Sequence, residues 1–434
     1  MSFFKKNIPS LDNNLTQKTL IVFILRFLGI GLLFVTTLYI TNNFSVDIVG
    51  KYDFVRTFLL VFGSLALLGT EHSILFFSGI LISENNLSEI KIVYKKMISI
   101  LFVGAIVVLL FFLIIKKNSI NTFFEDNVYS TLLSSSAILF FYSISILNTE
   151  VLRAIKLVSL SEVFRNIVKY LPLLFGAVIL NITNQHDLLI KVFLLGFVLI
   201  AIISTTILFL KFKKLTSTSR TNKTYSLKNV IKISYPMAIS GMAFFLLQSF
   251  DIVLLKKFKG NETVAFYSVA LKFVLILALI INTININVSS KIAELYSANK
   301  KKELSNLLKQ SSRLMVLASI PITLIIILFN KYLLNLFGNE YVTSSNALII
   351  MVVTQGGCTL FGSLAVYLNM TGKQKYFQNI LIIAVIINLL LNWYLIPPYG
   401  MTGAAIAFSC SLLFWNVVSA LVVYIKDKII MLVH

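Results

Sequence analysis

Long apolar runs, separated by short polar segments, recur along the whole of this 434-residue chain. Since a helix needs about 20 apolar residues to cross the hydrocarbon core of a bilayer, we interpret each run as a membrane-spanning helix. The pattern predicts an all-α integral membrane protein with about twelve transmembrane helices. The predicted spans lie at about 19–41, 54–82, 97–115, 130–152, 160–181, 188–210, 233–255, 264–290, 311–330, 343–370, 375–396 and 401–425.

A basic polar segment at the centre of the chain separates two similar halves. Residues 211–232 contain seven Lys or Arg residues and no acid. Residues 47–52 align with 262–267 at an offset of 215, and the motif FRNI at 164–167 aligns with FQNI at 377–380 at an offset of 213. Because six spans are an even number, both halves enter the membrane in the same sense, as parallel repeats. We therefore expect a six-helix lobe at 1–210, a cytoplasmic linker at 211–232 and a second six-helix lobe at 233–434.

Composition and charge support a membrane protein. Charged residues make up 13% of the chain, about half the roughly 25% of soluble domains. The net charge of +21 would suggest nucleic-acid binding in a soluble protein, but here the basic residues lie mainly in short loops, and we expect no nucleic-acid partner. Outside the spans, 25 Lys and Arg lie on the side of the N-terminus and 7 on the other, which predicts cytoplasmic termini and linker. Lys256, Lys257 and Lys259 run against this bias.

The sequence favours a transporter over an enzyme. No loop exceeds about 22 residues, so there is no room for an extramembrane catalytic domain, and we expect no catalytic, cofactor or metal site. Cys358 and Cys410 lie in separate apolar spans and fit neither a disulfide framework nor a metal site. The first apolar run is longer than a signal-peptide core and lacks a cleavage site, so we expect it to remain as a helix.

Basic residues within the spans are candidates for substrate binding, because a charge at the bilayer centre costs about 2.5–3.5 kcal/mol on insertion scales. Arg165 and Lys169 are four residues apart and therefore share one helix face. Together with Arg26 they are expected to line a cationic cavity in the first lobe, and guanidinium groups match phosphate oxygens in pairs. The full set of candidate substrate-binding residues is Arg26, Arg165, Lys169, Arg56, Arg153 and Lys272.

Acidic residues within the spans are candidates for ion coupling or ion pairing. The notable ones are Glu71, Glu150 and Asp251. Asp251 and Lys272 are both expected in the outer halves of neighbouring spans, where they form a candidate ion pair, and a coupling role for Asp251 is the other interpretation. Arg56, Arg153 and Lys191 lie near span ends, so snorkelling to the membrane surface is the alternative to a cavity-lining role.

Six short motifs occur together in an order typical of one transporter family. They are VGKY at 49–52, YPM at 235–237, SKIAELY at 290–296, FGNEY at 337–341, TGKQK at 371–375 and IPPYGMTGAAIA at 396–407. With them the chain resembles the bacterial polysaccharide-export flippases, the O-antigen and capsule repeat-unit translocases of the multidrug/oligosaccharidyl-lipid/polysaccharide superfamily. The small residues of the last motif also allow close packing of the final span.

The resemblance implies a function and a location. Members of this family move an undecaprenyl-diphosphate-linked oligosaccharide from the inner to the outer leaflet of the bacterial plasma membrane, by alternating access between two lobes with a MATE-like architecture. It implies a multi-pass protein of the bacterial inner membrane in polysaccharide and lipopolysaccharide biosynthesis. The implied partners are the lipid-linked substrate and membrane lipids, with a polysaccharide polymerase and other assembly proteins as further candidates.

Three alternatives remain at this point. A cation-coupled drug exporter of the same superfamily typically carries an acid in the first span, where this chain has Arg26 and no acid, although Asp251 keeps that option open. A flippase for the lipid-linked peptidoglycan precursor has fourteen spans, whereas about twelve are predicted in this chain. A membrane glycosyltransferase or polymerase needs a catalytic carboxylate in a sizeable outer loop, whereas Glu125 and Asp126 lie in a loop of about a dozen residues.

Overall fold

The computed structural model describes residues 13–84, 86–215, 226–429 and 431, and over these residues it contains helices and turns without any strand. This confirms the predicted all-α integral membrane fold. The α-helices are α1 (Asn13–Asn43), α2 (Val46–Leu67), α3 (Thr70–Ser83), α4 (Ile90–Ile114), α5 (Lys117–Phe124), α6 (Tyr129–Ala154), α7 (Val158–Val163), α8 (Leu171–Ile182), α9 (Leu189–Lys213), α10 (Leu227–Ser297), α11 (Lys301–Leu328), α12 (Asn330–Asn335), α13 (Ser345–Cys358), α14 (Leu364–Met370) and α15 (Gln374–Asp427). A π-helical turn, Phe164–Val168, lies between α7 and α8.

Two of these helices are too long to be single spans. A helix of 54 residues, the length of α15, extends about 80 Å, whereas the hydrocarbon core is about 30 Å thick. Each contains a glycine with non-helical backbone, Gly260 in α10 (φ 81°, ψ −174°) and Gly400 in α15 (φ 55°, ψ −128°). Glycine adopts positive φ without a Cβ clash, so each chain can fold back there. The fold-back is visible in α10, where the Tyr267 hydroxyl lies 2.8 Å from Asp251.

The number of spans agrees with the prediction. In the described part of the chain, nine helical segments are long and apolar enough to cross a membrane, and ten if the bent pair α2 and α3 is counted as one span. Dividing α10 and α15 at their glycines raises this number to twelve. The breaks at Gly260 and Gly400 fall where the sequence placed loops, between predicted spans seven and eight and spans eleven and twelve.

Some predicted spans are interrupted. The second bends by 43° between α2 and α3, where Leu68 and Gly69 both have positive φ, and it begins at Val46 instead of residue 54. The tenth predicted span breaks at Gly362 (φ 63°), which separates α13 and the turn after it from α14. Both predicted spans are longer than the roughly 20 residues that a crossing helix needs, which indicates an additional turn, but apolar patterning did not locate it.

Side-chain contacts define the two ends of the bundle. At one end, which we call the linker end, the Lys91 Nζ lies 3.3 Å from the carbonyl oxygen of Leu215, which belongs to the central linker. At the opposite end, which we call the loop end, the Asn181 amide donates to the Asn43 side chain at 3.1 Å, and Lys256 pairs with Asp126. Residues 216–225 of the predicted linker at 211–232 lie outside the described residues. Its flanks are the end of α9 at Lys213 and the start of α10 at Leu227.

Candidate functional site

A cavity of about 200 Å³ lies in the first half of the chain, between α2, α6, the π turn, α8 and α9. Three of the predicted cations, Arg56, Arg165 and Lys169, line it together with Glu150. The wall also carries three tyrosines, Tyr52, Tyr142 and Tyr170. The structure therefore brings half of the six candidate cations and one candidate acid into one space.

The two cations contributed by the π turn and the residue after it differ in their partners. Arg165 forms an ion pair with Glu150 across the cavity wall. Lys169 is exposed, and its Nζ lies 4.7 Å from the centre of the Tyr170 ring. Among the described residues Lys169 has no carboxylate within ion-pair distance. It is therefore the cation of this cavity whose charge is least neutralised by the protein.

Arg26 is not among the residues that line this cavity. Its guanidinium makes a bidentate pair with Glu162, with Nε 3.0 Å from Oε2 and Nη2 2.8 Å from Oε1. The Asn166 amide donates to the same carboxylate at 2.9 Å. Glu162 is 1% exposed, and the sequence analysis did not predict this buried partner of Arg26. Its position three residues before Arg165 was the available signal, because residues at this spacing share a helix face.

A second charged cluster lies at the contact between α2 and the part of α10 that follows Gly260. The Lys272 Nζ lies 3.2 and 3.1 Å from the two carboxylate oxygens of Asp53, and the Arg56 Nε lies 3.1 Å from Oδ1. Asp53 and Lys272 are 0% and 2% exposed. The predicted pair of Asp251 with Lys272 is therefore wrong. The sequence missed Asp53 because it lies just before the predicted second span.

Asp251 lies in a neutral polar environment. The Tyr267 hydroxyl donates to its Oδ2 at 2.8 Å, and the side-chain amides of Asn388 and Asn392 donate to Oδ1 at 3.2 and 2.6 Å. Asp251 is fully buried, and no cation pairs with it among the described residues. The Oδ1 of Asn392 is buried without a hydrogen-bond partner in this part of the structure.

Two candidates, Glu71 and Arg153, remain. Glu71 is in the first turn of α3, with Oε1 3.7 Å from the His72 Nε2 and with Oε2 buried and unpartnered among the described residues. Arg153 is in the last turn of α6, where a cation interacts favourably with the helix dipole. Neither residue lines the 200 Å³ cavity.

Contacts between α2–α3 and α10 join the two halves of the chain near both ends of the bundle. At the loop end the Asn261 amide donates to Asp47 at 2.7 Å, and a Cβ on Gly50 would lie 1.9 Å from the Asn261 carbonyl oxygen. At the linker end the hydroxyl oxygens of Ser73 and Ser234 are 2.6 Å apart. The two halves therefore touch at both ends, with the Asp53–Lys272 pair between them.

Two of the three lysines that opposed the predicted charge bias, Lys256 and Lys257, have local partners at the loop end. Lys256 is 1% exposed and pairs with Asp126. The Lys257 Nζ lies 3.8 Å from the centre of the Phe123 ring and 4.6 Å from that of Trp393. These contacts offset the positive charge at this end of the bundle.

We expect Asp126→Asn to weaken the closed loop end by about 1 kcal/mol, because Asp126 is 35% exposed and solvent screens the pair. Burial raises the pKa of Asp126, but the hydrogen bond and charge of Lys256 outweigh it and bring the pKa below its usual value. Because the pKa of Asp126 is lower in the folded than in the unfolded state, its ionised form stabilises the fold at pH values above the unfolded pKa of about 3.9. This stabilisation is lost as the pH falls through the folded-state pKa. Thermal unfolding in detergent should therefore separate variant and parent at pH 7, and the separation should shrink as the pH falls through the folded-state pKa of Asp126. Glu125→Gln, an exposed neighbour, serves as the control. Equal melting temperatures of parent and Asp126→Asn at pH 7 would contradict this role.

Comparisons with known proteins agree with the fold. Residues 236–394, a little over a third of the chain, match the model of the MatE family. Over 190 residues the chain is 25% identical to the probable low-salt glycan biosynthesis flippase Agl15 of Haloferax volcanii. That match covers 43% of this chain and spans only 39% of the length of the relative.

Two solved structures resemble nearly the whole chain. The lipid II flippase MurJ in an inward closed conformation superposes with a TM-score of 0.70 and 15% identity, over 93% of this chain and 86% of MurJ. The MATE multidrug transporter DinF-BH gives a TM-score of 0.70 and 15% identity, over 99% of this chain and 98% of that chain. The chain is thus a multi-pass, all-α membrane protein with the fold shared by these transporters.

Proposed function

We propose that this protein is a flippase that moves an undecaprenyl-diphosphate-linked oligosaccharide, an O-antigen or capsule repeat unit, from the cytoplasmic to the outer leaflet. The observation that carries the proposal is the cavity lined by Arg56, Arg165 and Lys169. The similarity to a glycan biosynthesis flippase and to the fold of the lipid II flippase supports it. As part of this proposal, the protein lies in the bacterial inner membrane with cytoplasmic termini. Its proposed partners are the lipid-linked substrate, membrane lipids and a polysaccharide polymerase or other assembly proteins.

The chemistry of the cavity matches a diphosphate. An anion taken out of water needs charged or hydrogen-bonding partners. Lys169 offers an ammonium without a carboxylate partner among the described residues, and the diphosphate can compete with Glu150 for Arg165. Arginine binds phosphate oxygens in a bidentate geometry that adds specificity. The neighbouring tyrosines supply further hydrogen-bond donors.

Alternating access provides the proposed transport cycle. Two six-helix lobes, 1–210 and 233–434, joined by the linker at 211–232, would open in turn at the linker end and at the loop end. Opening at the loop end requires separation of Asn261 from Asp47 and of Lys256 from Asp126. Opening at the linker end requires separation of Ser73 from Ser234. Arg26 and Glu162 hold α1 on α7 and stay together in this scheme, as a positioning pair.

Asp251 is the proposed coupling residue. Its carboxylate is buried among neutral amide and hydroxyl donors, without a cation among the described residues, so a proton or a small cation can change its charge state. The same feature favours the second candidate function, a cation-coupled exporter of small molecules. Because the TM-scores of the flippase and the multidrug transporter are equal, the fold favours neither of the two candidate functions.

Deletion of the gene in a bacterium without a related flippase separates the two functions. We expect lipid-linked repeat units to accumulate on the cytoplasmic leaflet and surface polysaccharide to be lost, while sensitivity to cationic drugs stays unchanged. Leaflet-specific labelling of the lipid-linked sugar measures the first effect, and growth in drug dilutions measures the second. Unchanged surface polysaccharide with increased drug sensitivity would favour the exporter.

A further inference from the structure

The second half of the chain encloses a larger cavity of a different chemical kind. Its volume is about 340 Å³, within the range of about 300–1,000 Å³ typical of small-molecule sites. Both parts of α10, together with α13 and α15, contribute to its wall. Five carboxamide side chains line it: Gln248, Asn282, Asn285, Gln355 and Asn416.

Most of these carboxamides have unused hydrogen-bonding capacity. The Oδ1 of Asn285 is buried without a partner among the described residues. No side-chain hydrogen bond joins Gln248, Asn282 or Gln355 to the described part of the chain, while the Asn416 amide donates to the Leu412 carbonyl at 2.8 Å. Polar groups in membrane-spanning helices are expensive unless they are satisfied, and they usually mark a substrate path. The arrangement indicates a ligand with many donors and acceptors.

The ligand of this cavity is expected to be neutral. None of the described residues that line it is charged, in contrast to the first cavity with Arg56, Arg165, Lys169 and Glu150. A cationic guest would lack a carboxylate, and an anionic guest would lack a basic partner. Carboxamides carry both donors and acceptors and therefore complement hydroxyl groups, which do the same.

Aromatic rings form another part of the wall. Phe244 and Trp415 meet edge to face, with ring centres 5.9 Å apart, and Phe377 packs against both rings from outside the cavity lining. These contacts hold the Trp415 ring in place. A rigid aromatic face covers the apolar C–H face of a ring-shaped guest, while the carboxamides take its polar rim. A saturated ring with an apolar C–H face and a rim of hydroxyl groups is the chemistry of a sugar.

We propose that this carboxamide-lined cavity binds the neutral glycan of the transported molecule. The assignment to a transported lipid rests on the proposed flippase function. The two halves of the chain then bind different parts of the substrate. The diphosphate lies in the cationic cavity, and the sugars lie among the carboxamides of the second cavity.

Trp415 provides a direct readout. The chain has two tryptophans, so Trp393→Phe leaves Trp415 as the single fluorophore. The full-length variant in lipid nanodiscs is titrated with lactose, maltose and N,N′-diacetylchitobiose. We expect a saturable change in Trp415 fluorescence with at least one of these disaccharides, and at least a tenfold loss of affinity after Gln248→Leu or Asn285→Leu.

The control is Asn287→Leu, two residues from Asn285 on the same helix, exposed and outside the cavity lining. If either test variant does not fold, Asn282→Leu replaces it, because Asn282 is exposed. No saturable change with any of the three sugars, or equal affinities in Asn285→Leu and Asn287→Leu, would overturn the glycan site even if the protein flips lipid-linked oligosaccharide. Sugar binding that depends on Asn285 in a protein that flips no such lipid would uphold the glycan site and reject the flippase function.

Discussion

Asp53→Ala is expected to lower the free energy of unfolding by about 3–5 kcal/mol, because it leaves the buried ammonium of Lys272 without a counter-charge. Lys272 is 2% exposed and its Nζ contacts both oxygens of Asp53. Arg56 loses its partner as well, but it is 26% exposed and can reach solvent more easily. Lys272→Met should cost less than Asp53→Ala, because Asp53 then keeps Arg56.

The chain offers a matched control for this prediction. Lys51 also pairs with an aspartate, Asp47, at 2.7 Å, but both side chains are more than 40% exposed. Exposed pairs contribute about 0–1 kcal/mol, so Lys51→Met should change little. Unfolding of the purified protein by titration with a denaturing detergent compares the variants. Asp53→Ala with no greater loss than Lys51→Met would mean that the buried pair does not hold the two halves together.

Lys169→Gln and Arg165→Gln are each expected to slow translocation of the lipid-linked oligosaccharide about 10- to 100-fold. Each removes a charge-assisted contact to the diphosphate, worth about 1.5–3 kcal/mol, and 1.4 kcal/mol corresponds to a factor of ten. Transfer of a fluorescent substrate between the leaflets of reconstituted vesicles measures the rate. For Lys169→Gln, the loss of translocation rate should be larger than a change in melting temperature explains, since Lys169 is exposed and has no ion pair among the described residues.

Lys191→Gln is the control for the loss of a positive charge. Lys191 lies in α9, is exposed, and does not line the cationic cavity. Its removal should leave the translocation rate within about twofold of the parent. Equal rates for Lys169→Gln, Arg165→Gln and Lys191→Gln would remove the cationic cavity from the transport path.

The membrane-spanning pattern could be predicted from the sequence because the bilayer imposes it locally. Each span must be predominantly apolar, and the loops at Gly260 and Gly400 fall where this pattern is interrupted. The grouping of Arg165 and Lys169 followed in the same way from helical spacing, and both line one cavity. The position of the bend at Leu68 and Gly69 could not be predicted, because hydropathy does not report backbone dihedrals.

The partners of the buried charges could not be predicted in the same way. Lys272 pairs with Asp53, 219 residues away, and Arg26 with Glu162, 136 residues away. Such pairs depend on which helices pack together, whereas depth along a helix alone made Asp251 the expected partner of Lys272. The carboxamide cavity could not be predicted for the same reason, since Gln248, Asn285 and Gln355 come from separate spans.

Leaflet transfer by the purified protein tests the proposed function most directly. Vesicles containing the protein and a fluorescent undecaprenyl-diphosphate disaccharide are exposed to a membrane-impermeant quencher, beside protein-free vesicles and vesicles with Lys169→Gln. The proposed function predicts transfer at least tenfold faster than in protein-free vesicles, and a rate close to that background for Lys169→Gln. Transfer no faster than in protein-free vesicles, together with movement of a cationic dye by the same protein, would contradict it.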